Sequence, residues 1–207
     1  MRSFQANGSP MAAARLLLAD SQSHFSTAAI RLPRATNAKE AEAALASCFQ
    51  AISAWRSISK SSARATPEWL EAQLALADLY NFRGKLCTWN YDKLAGSRRQ
   101  KAIFWTVRAG EAFESALACL KEAAPCGLPG DETRAIKHKM KNIHQEIHYS
   151  YYYASVLSAK ENPCHLLVSL DDLGAMDGLA GAHAIKAIMH GHRSRVLSNE
   201  LFESSLD

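Results

Sequence analysis

Residues 131–160, DETRAIKHKMKNIHQEIHYSYYYASVLSAK, read as one long helix in which Ile136, Met140, Ile143, Ile147, Tyr151 and Ala154 recur every three or four positions. That stripe faces a core. The start of the opposite face is basic, through Arg134, Lys137, His138, Lys139 and Lys141. A helix of about 28 residues is far longer than the globular mean of roughly 11 to 12, so the spacing predicts long antiparallel hairpins stacked in a bundle or solenoid.

Working back from this segment, every apolar stretch fits the helical period better than strand alternation. A short lead over 1–10 precedes a helix over Met11 to Ile30 carrying Ala14, Leu17, Leu18, Phe25 and Ala28, which breaks at Leu32-Pro33. Asn37 and Glu40 form a capping-box pattern for a second helix to about Ser59, with Ala41, Leu45, Cys48, Ile52 and Trp55 on one face. Thr66-Pro67 gives an N-cap followed by proline at the first helical position. The third helix then runs to about Leu94 with two stripes, Leu76, Tyr80, Cys87 and Tyr91 on one and Leu79, Phe82, Leu86 and Trp89 on the other, so it is expected to be covered on two sides. Gly84 within it costs about 1 kcal/mol relative to alanine and signals a closely packed neighbour.

Ser97 and Gln100 start a fourth helix, to about Ala124, with Ala102, Trp105, Ala109, Phe113, Ala116 and Leu120 in register and a first half that is apolar nearly all round. PCGLPGD separates it from the long fifth helix. Beyond Asn162-Pro163 the pattern predicts a short helix to Leu173 closed by Gly174, another from Gly178 to His190, and a terminal stretch to Leu206. His190-Gly191-His192-Arg193 has the chemistry of a helix end. The fold class is therefore all-α: an antiparallel array of long helices, one domain over 11–207.

The net charge of +4 conceals a gradient, with eight Lys/Arg against three acids over 1–66 and three against seven over 161–207. A basic front favours an acidic partner or leaves room for peripheral membrane association. No apolar run reaches the roughly 18 residues of a membrane span. No aromatic-plus-glycine motif points to nucleic acid, and none is expected as a partner. Cys48, Cys87, Cys119, Cys126 and Cys164 form no CxxC pair and read as reduced thiols, with Cys48 and Cys87 as small buried hydrophobes. Arg2, Arg15, Arg31 and Arg34, with Asp20 as the one acid of the first 38 residues, resemble a mitochondrial presequence, although Met11 to Ile30 also makes a core helix.

His144 and His148 stand four apart on one helical face, a spacing at which two imidazoles can share a metal. The motif H-Q-E-I-H misplaces the glutamate of the HExxH zinc-protease pattern, and a third ligand would have to come from His138, His165, His183, His190 or His192. Both histidines are expected on the polar face; a metal-dependent enzyme is the competing reading. No GxSxG, P-loop or dinucleotide glycine pattern occurs, so neither an enzyme nor a cofactor is expected. Tyr149, Tyr151, Tyr152 and Tyr153 surround more than half of the fifth helix, which suits packing on two sides or the lining of a groove.

Leu76, Ala77, Tyr80 and Gly84, followed by Ala109, Phe113 and Ala116, resemble the two helices of a degenerate tetratricopeptide repeat with extra residues between them. In order along the chain, ALASCFQAISAW, WLEAQLALADLY, AGEAFESAL and HYSYYYASVLSAKE resemble helices of the Bro domain of Alix-like endosomal sorting proteins, over about 30 to 173. The chain is much shorter than a full Bro domain, and ALADLY replaces the family's A-Q-A-Q-E run. The resemblance implies a cytoplasmic, endosome-associated scaffold without enzymatic activity, which holds an amphipathic helix of an ESCRT-III subunit in an apolar groove. Trp89, Ile103, Trp105 and Tyr152 are the candidate partner-binding residues. A helical subunit of a mitochondrial assembly, with its presequence removed near residues 30 to 38, is the alternative.

Overall fold

The computed structural model describes residues 9–31, 38–94, 99–126, 128–158 and 178–203. Six helices account for nearly all of these residues: α1 (Pro10–Arg31), α2 (Ala38–Ser61), α3 (Pro67–Leu94), α4 (Arg99–Ala123), α5 (Gly130–Ser158) and α6 (Gly178–Glu203). Each packs mainly on its neighbours in sequence, and α1 also touches α3. No strand forms among the described residues.

Contacts along each seam set the directions. Ser59 meets Gln73 and Arg56 lies over Tyr80, so α2 and α3 are antiparallel. Gly84 faces Phe113, Gly110 faces Tyr151 and Ser155 bonds to the carbonyl of Ala180, which continues the alternation through α6. Conversely, Arg15 pairs with Glu71 while Phe25 stacks on Phe82 at 4.6 Å, so α1 and α3 run parallel. Lys139 to Asp78 ties α5 to α3 in one layer, and Lys186 to Glu114 ties α6 to α4 in the other. The result is a double-layered array with odd-numbered helices on one side and even-numbered helices on the other.

Local chemistry explains the joints. Thr66 Oγ1 accepts the amide of Trp69, capping α3 ahead of Pro67. The preceding Ala65 sits at φ 65°, the left-handed region that an alanine enters only at a steric cost. At the far end of α5, the guanidinium of Arg99 donates to the carbonyl of Leu157, satisfying an acceptor that the helix leaves open.

The core follows the predicted stripes. Trp55, Leu79, Leu86, Phe113, Leu120, Ile147 and Tyr151 are almost wholly enclosed, and α3 buries residues of both its stripes. Cys48 and Cys87 are buried free thiols, and burial pushes Cys87 up to about 11, as it does half-buried Cys119. Small residues line the α1–α2 seam, where Ser21 donates to the sulfur of Cys48 at 3.1 Å and Ser47 to Asp20. Ala14, Ser21 and Ala28 of α1 are buried there, so this helix is part of the packed array.

One expectation is overturned, and others fall on residues that the structure does not describe. The predicted short helix ending at Leu173 lies outside the described residues, as do Cys164 and His165. The helix end expected at His190-Gly191 does not occur, because α6 continues unbroken to Glu203. Gly191 is there for space: a Cβ would lie 3.0 Å from Nδ1 of His148.

Gly84 is the strictest of these close approaches. A Cβ at this position would lie 2.4 Å from the ring of Phe113, which is itself fully buried. Alanine would gain about 1 kcal/mol of helix propensity, yet overpacking a filled core costs about 1–3 kcal/mol. Gly84→Ala is expected to lower the urea midpoint, and adding Phe113→Leu to recover part of the loss. A midpoint raised by Gly84→Ala alone would show that the ring moves aside freely.

Candidate functional site

The apolar first half of α4 sends residues in all directions. Ala102 and Thr106 are buried, Ile103, Trp105 and Val107 are half-buried, and Phe104 is 50% exposed. Phe104 and Trp105 meet edge to face at 5.3 Å, and the guanidinium of Arg108 lies 5.3 Å from the centre of the Phe104 ring. Arg108 is in turn held by Glu111 at 2.9 Å. An aromatic ridge with a fixed cation beside it is thus presented to solvent.

The four residues singled out from the sequence are not equivalent. Ile103 and Trp105 stand in this ridge, whereas Trp89 is buried within α3. Tyr152 is half-buried against the core and lies near the rings of His148 and Tyr153. Phe104, the most exposed member of the ridge, is missed by stripe-reading because it falls off the core-facing register of Ala102, Trp105 and Ala109. Its signal in the sequence is the all-round apolarity of IFWTV. Tyr149 and Tyr153 are also exposed, while Tyr151 is buried.

A second concentration of chemistry lies between α5 and α6. His144 and His190 face each other with their Nδ1 atoms 2.8 Å apart, so one nitrogen donates and the other accepts. His148 Nδ1 lies 2.7 Å from the carbonyl oxygen of Ala187, to which it donates, and His183 stacks on Tyr151. Lys186 donates to the Tyr151 hydroxyl at 3.1 Å and to Glu114 at 3.0 Å, crossing from α6 to both α5 and α4. The expectation that His144 and His148 belong to a polar face is corrected: His144 is 4% exposed, and both rings face α6. The basic start of α5 does not extend this far along the helix.

Burial holds His144 down at about 4, with His190 adding to the effect, and burial also lowers His183 and His190. The His144 imidazole is therefore neutral at physiological pH. Of the candidate third ligands among the described residues, His190 is the one brought against His144. No group of three His, Cys, Asp or Glu positioned to hold a metal occurs among the described residues.

An open cleft of about 120 Å³ lies between α3 and α5, with Leu120 in its lining. Asp78, Asn81, Lys85, Lys139, Asn142 and Glu146 make it polar, and Lys139 and Asp78 are already paired at 2.8 Å. Among the described residues, no helix is long and apolar enough to cross a membrane. Compared with protein-family models, curated proteins and solved structures, the chain matches none.

The lowered histidines make stability depend on pH. An unfolded imidazole titrates near 6.5 and the folded His144 near 4, so the unfolded chain takes up protons first as pH falls. Stability is full above about 6.5 and is lost towards pH 4, by roughly 2 kcal/mol at pH 5 for His144 alone. Urea midpoints at pH 7.5 and 5.0 measure this. His144→Gln, which keeps a hydrogen-bonding group without titrating, is expected to shrink the difference. Equal wild-type midpoints would count against a neutral, buried His144.

Proposed function

We propose that this chain is a non-enzymatic helical scaffold that binds another protein through the exposed ridge at the start of α4. One observation carries the reading: Phe104, half exposed and braced by Trp105 and Arg108, is an apolar surface already held in place before any partner arrives. Ordering flexible side chains opposes association, so a ridge fixed in advance loses less on binding. Aromatic and arginine side chains are also the types that dominate binding energy at protein interfaces.

The resemblance to the Bro domain narrows the reading to an amphipathic helix of an ESCRT-III subunit, bound by a cytoplasmic, endosome-associated scaffold. The double-layered array is compatible with it, since long antiparallel helices in two layers expose extended surfaces on which a further helix can lie. Ile103 and Trp105 would flank Phe104 in that contact, with Arg108 suited to an acidic residue of the partner. Arg108 retains its own carboxylate in the free protein, so the gain from a second one is modest.

Titration with synthetic C-terminal helices of ESCRT-III subunits, followed by tryptophan fluorescence, tests the narrower reading. Binding is expected, with Phe104→Glu weakening it about tenfold and leaving the melting temperature unchanged. If none of the helices binds, the ESCRT-III assignment fails. Photo-crosslinking from position 104 in cells addresses the scaffold itself, and recovery of no protein partner there would sink it.

A further inference from the structure

Helix α6 is apolar on two faces. One packs on α5 and buries Ala180, His183, Ala184, Ala187 and Leu201. At about 100° of rotation per residue, Ile185, Met189 and Val196 fall on the opposite side, with Ile188 at its edge. Ile185 is 48% exposed, Ile188 41% and Met189 61%. Their i, i+3, i+4 spacing makes one continuous stripe rather than the scattered apolar residues that any surface carries.

Every helix from α1 to α5 is covered by the next one in the chain, and α6 is the last of the described helices. A helix laid on its outer face would repeat the helix-on-helix packing found at each earlier seam.

Charge selects what that helix carries. From Gly178 to Asn199 the helix contains no carboxylate; Glu200 in its last turn is paired with Lys137 of α5, and Glu203 ends it. Arg193 and Arg195 stand on the two borders of the stripe, are exposed, and form no ion pair among the described residues. His192 lies on the stripe itself, and Lys186 is already engaged by Glu114. A second copy of this chain, paired about the centre of the stripe, would bring the acid-free residues 178–199 against this one and leave the arginines without carboxylates. An anionic membrane is less suited, because lipid-binding surfaces gather about four to eight cations and this border offers only the pair.

We propose that the outer face of α6 docks an amphipathic helix of a partner protein whose apolar stripe is bordered by carboxylates. Ile185, Ile188 and Met189 bury its apolar face, and Arg193 and Arg195 each meet an acid on one border. This surface is distinct from the α4 ridge, and neither reading depends on the other.

The test uses the full chain and a labelled synthetic helix with leucines at i, i+3, i+4 and i+7 bordered by glutamates, read by fluorescence anisotropy, beside a twin bordered by lysines. The glutamate peptide is expected to bind and its twin not to. Met189→Glu and, separately, Ile185→Ser should each weaken binding about tenfold without changing the melting temperature, since both side chains face solvent. Arg193→Glu with Arg195→Glu should invert the preference between the peptides, while Phe104→Glu leaves it intact. Equal binding of both peptides, or of neither, overturns the proposal. So does dimerisation abolished by Met189→Glu, which assigns the face to a second copy, or Met189-dependent binding to phosphatidylserine vesicles without peptide binding. Peptide binding that appears only when residues 159–177 are replaced by a glycine-serine linker gives the face to that segment instead.

Discussion

Ring-against-glycine contact sets the spacing of this array. Phe113 of α4 occupies the space a side chain at Gly84 of α3 would take, Tyr151 of α5 does the same at Gly110 of α4, and His148 of α5 stands over Gly191 of α6. Each glycine lowers helix propensity by about 1 kcal/mol relative to alanine, so its presence inside a long helix needs an offsetting contact. Seating an aromatic ring against bare backbone supplies it, because a large flat surface leaves water and gains close contacts together. The same three seams fix how α3 to α6 lie on one another, and with them the positions of the α4 ridge and the outer face of α6.

The seams differ in chemistry. Between α3 and α4 the contact is hydrocarbon, whereas between α5 and α6 it is largely polar, through the His144–His190 pair, the His148 bond to Ala187 and the bonds of Lys186 to Tyr151 and Glu114. Buried polar groups demand partners at defined angles, so this seam specifies one register between the two helices more strictly than apolar packing would. The Lys186 ammonium also lies 4.5 Å from the centre of the Tyr151 ring, which adds a cation–π contact at the same place. Burial raises Tyr151 to about 12, despite the opposing effect of Lys186, so its hydroxyl keeps its proton.

How far the fold was legible follows from what periodicity measures. The apolar period located α1 to α5 to within a residue or two, because a buried stripe and a capping residue are local signals, and Thr66-Pro67 and Gly84 carried their meaning without knowledge of neighbours. The role of Gly191 is hidden from the sequence, because a glycine that stops a helix and one that admits a neighbour look alike until the neighbour is known. The burial of His144 is hidden from the sequence for a related reason. A polar residue beside an apolar stripe is assigned to solvent unless its partner is identified, and His190 lies 46 positions away. Phe104 and the outer stripe of α6 are not legible in the sequence, because apolar residues on both sides of a helix look the same whether the second side is buried or exposed.

Packing of each helix on its sequence neighbour also bears on how the chain acquires its structure. Contacts between adjacent helices from α1 to α5 close connections of only a few residues, so little chain entropy is lost before the first apolar surfaces meet. Any hairpin of the series can form first and serve as a surface for the next, as in solenoid proteins. During synthesis α1 and α2 can pair before α5 has been made. The α5–α6 seam, with its paired imidazoles, is then completed after those of α1 to α5.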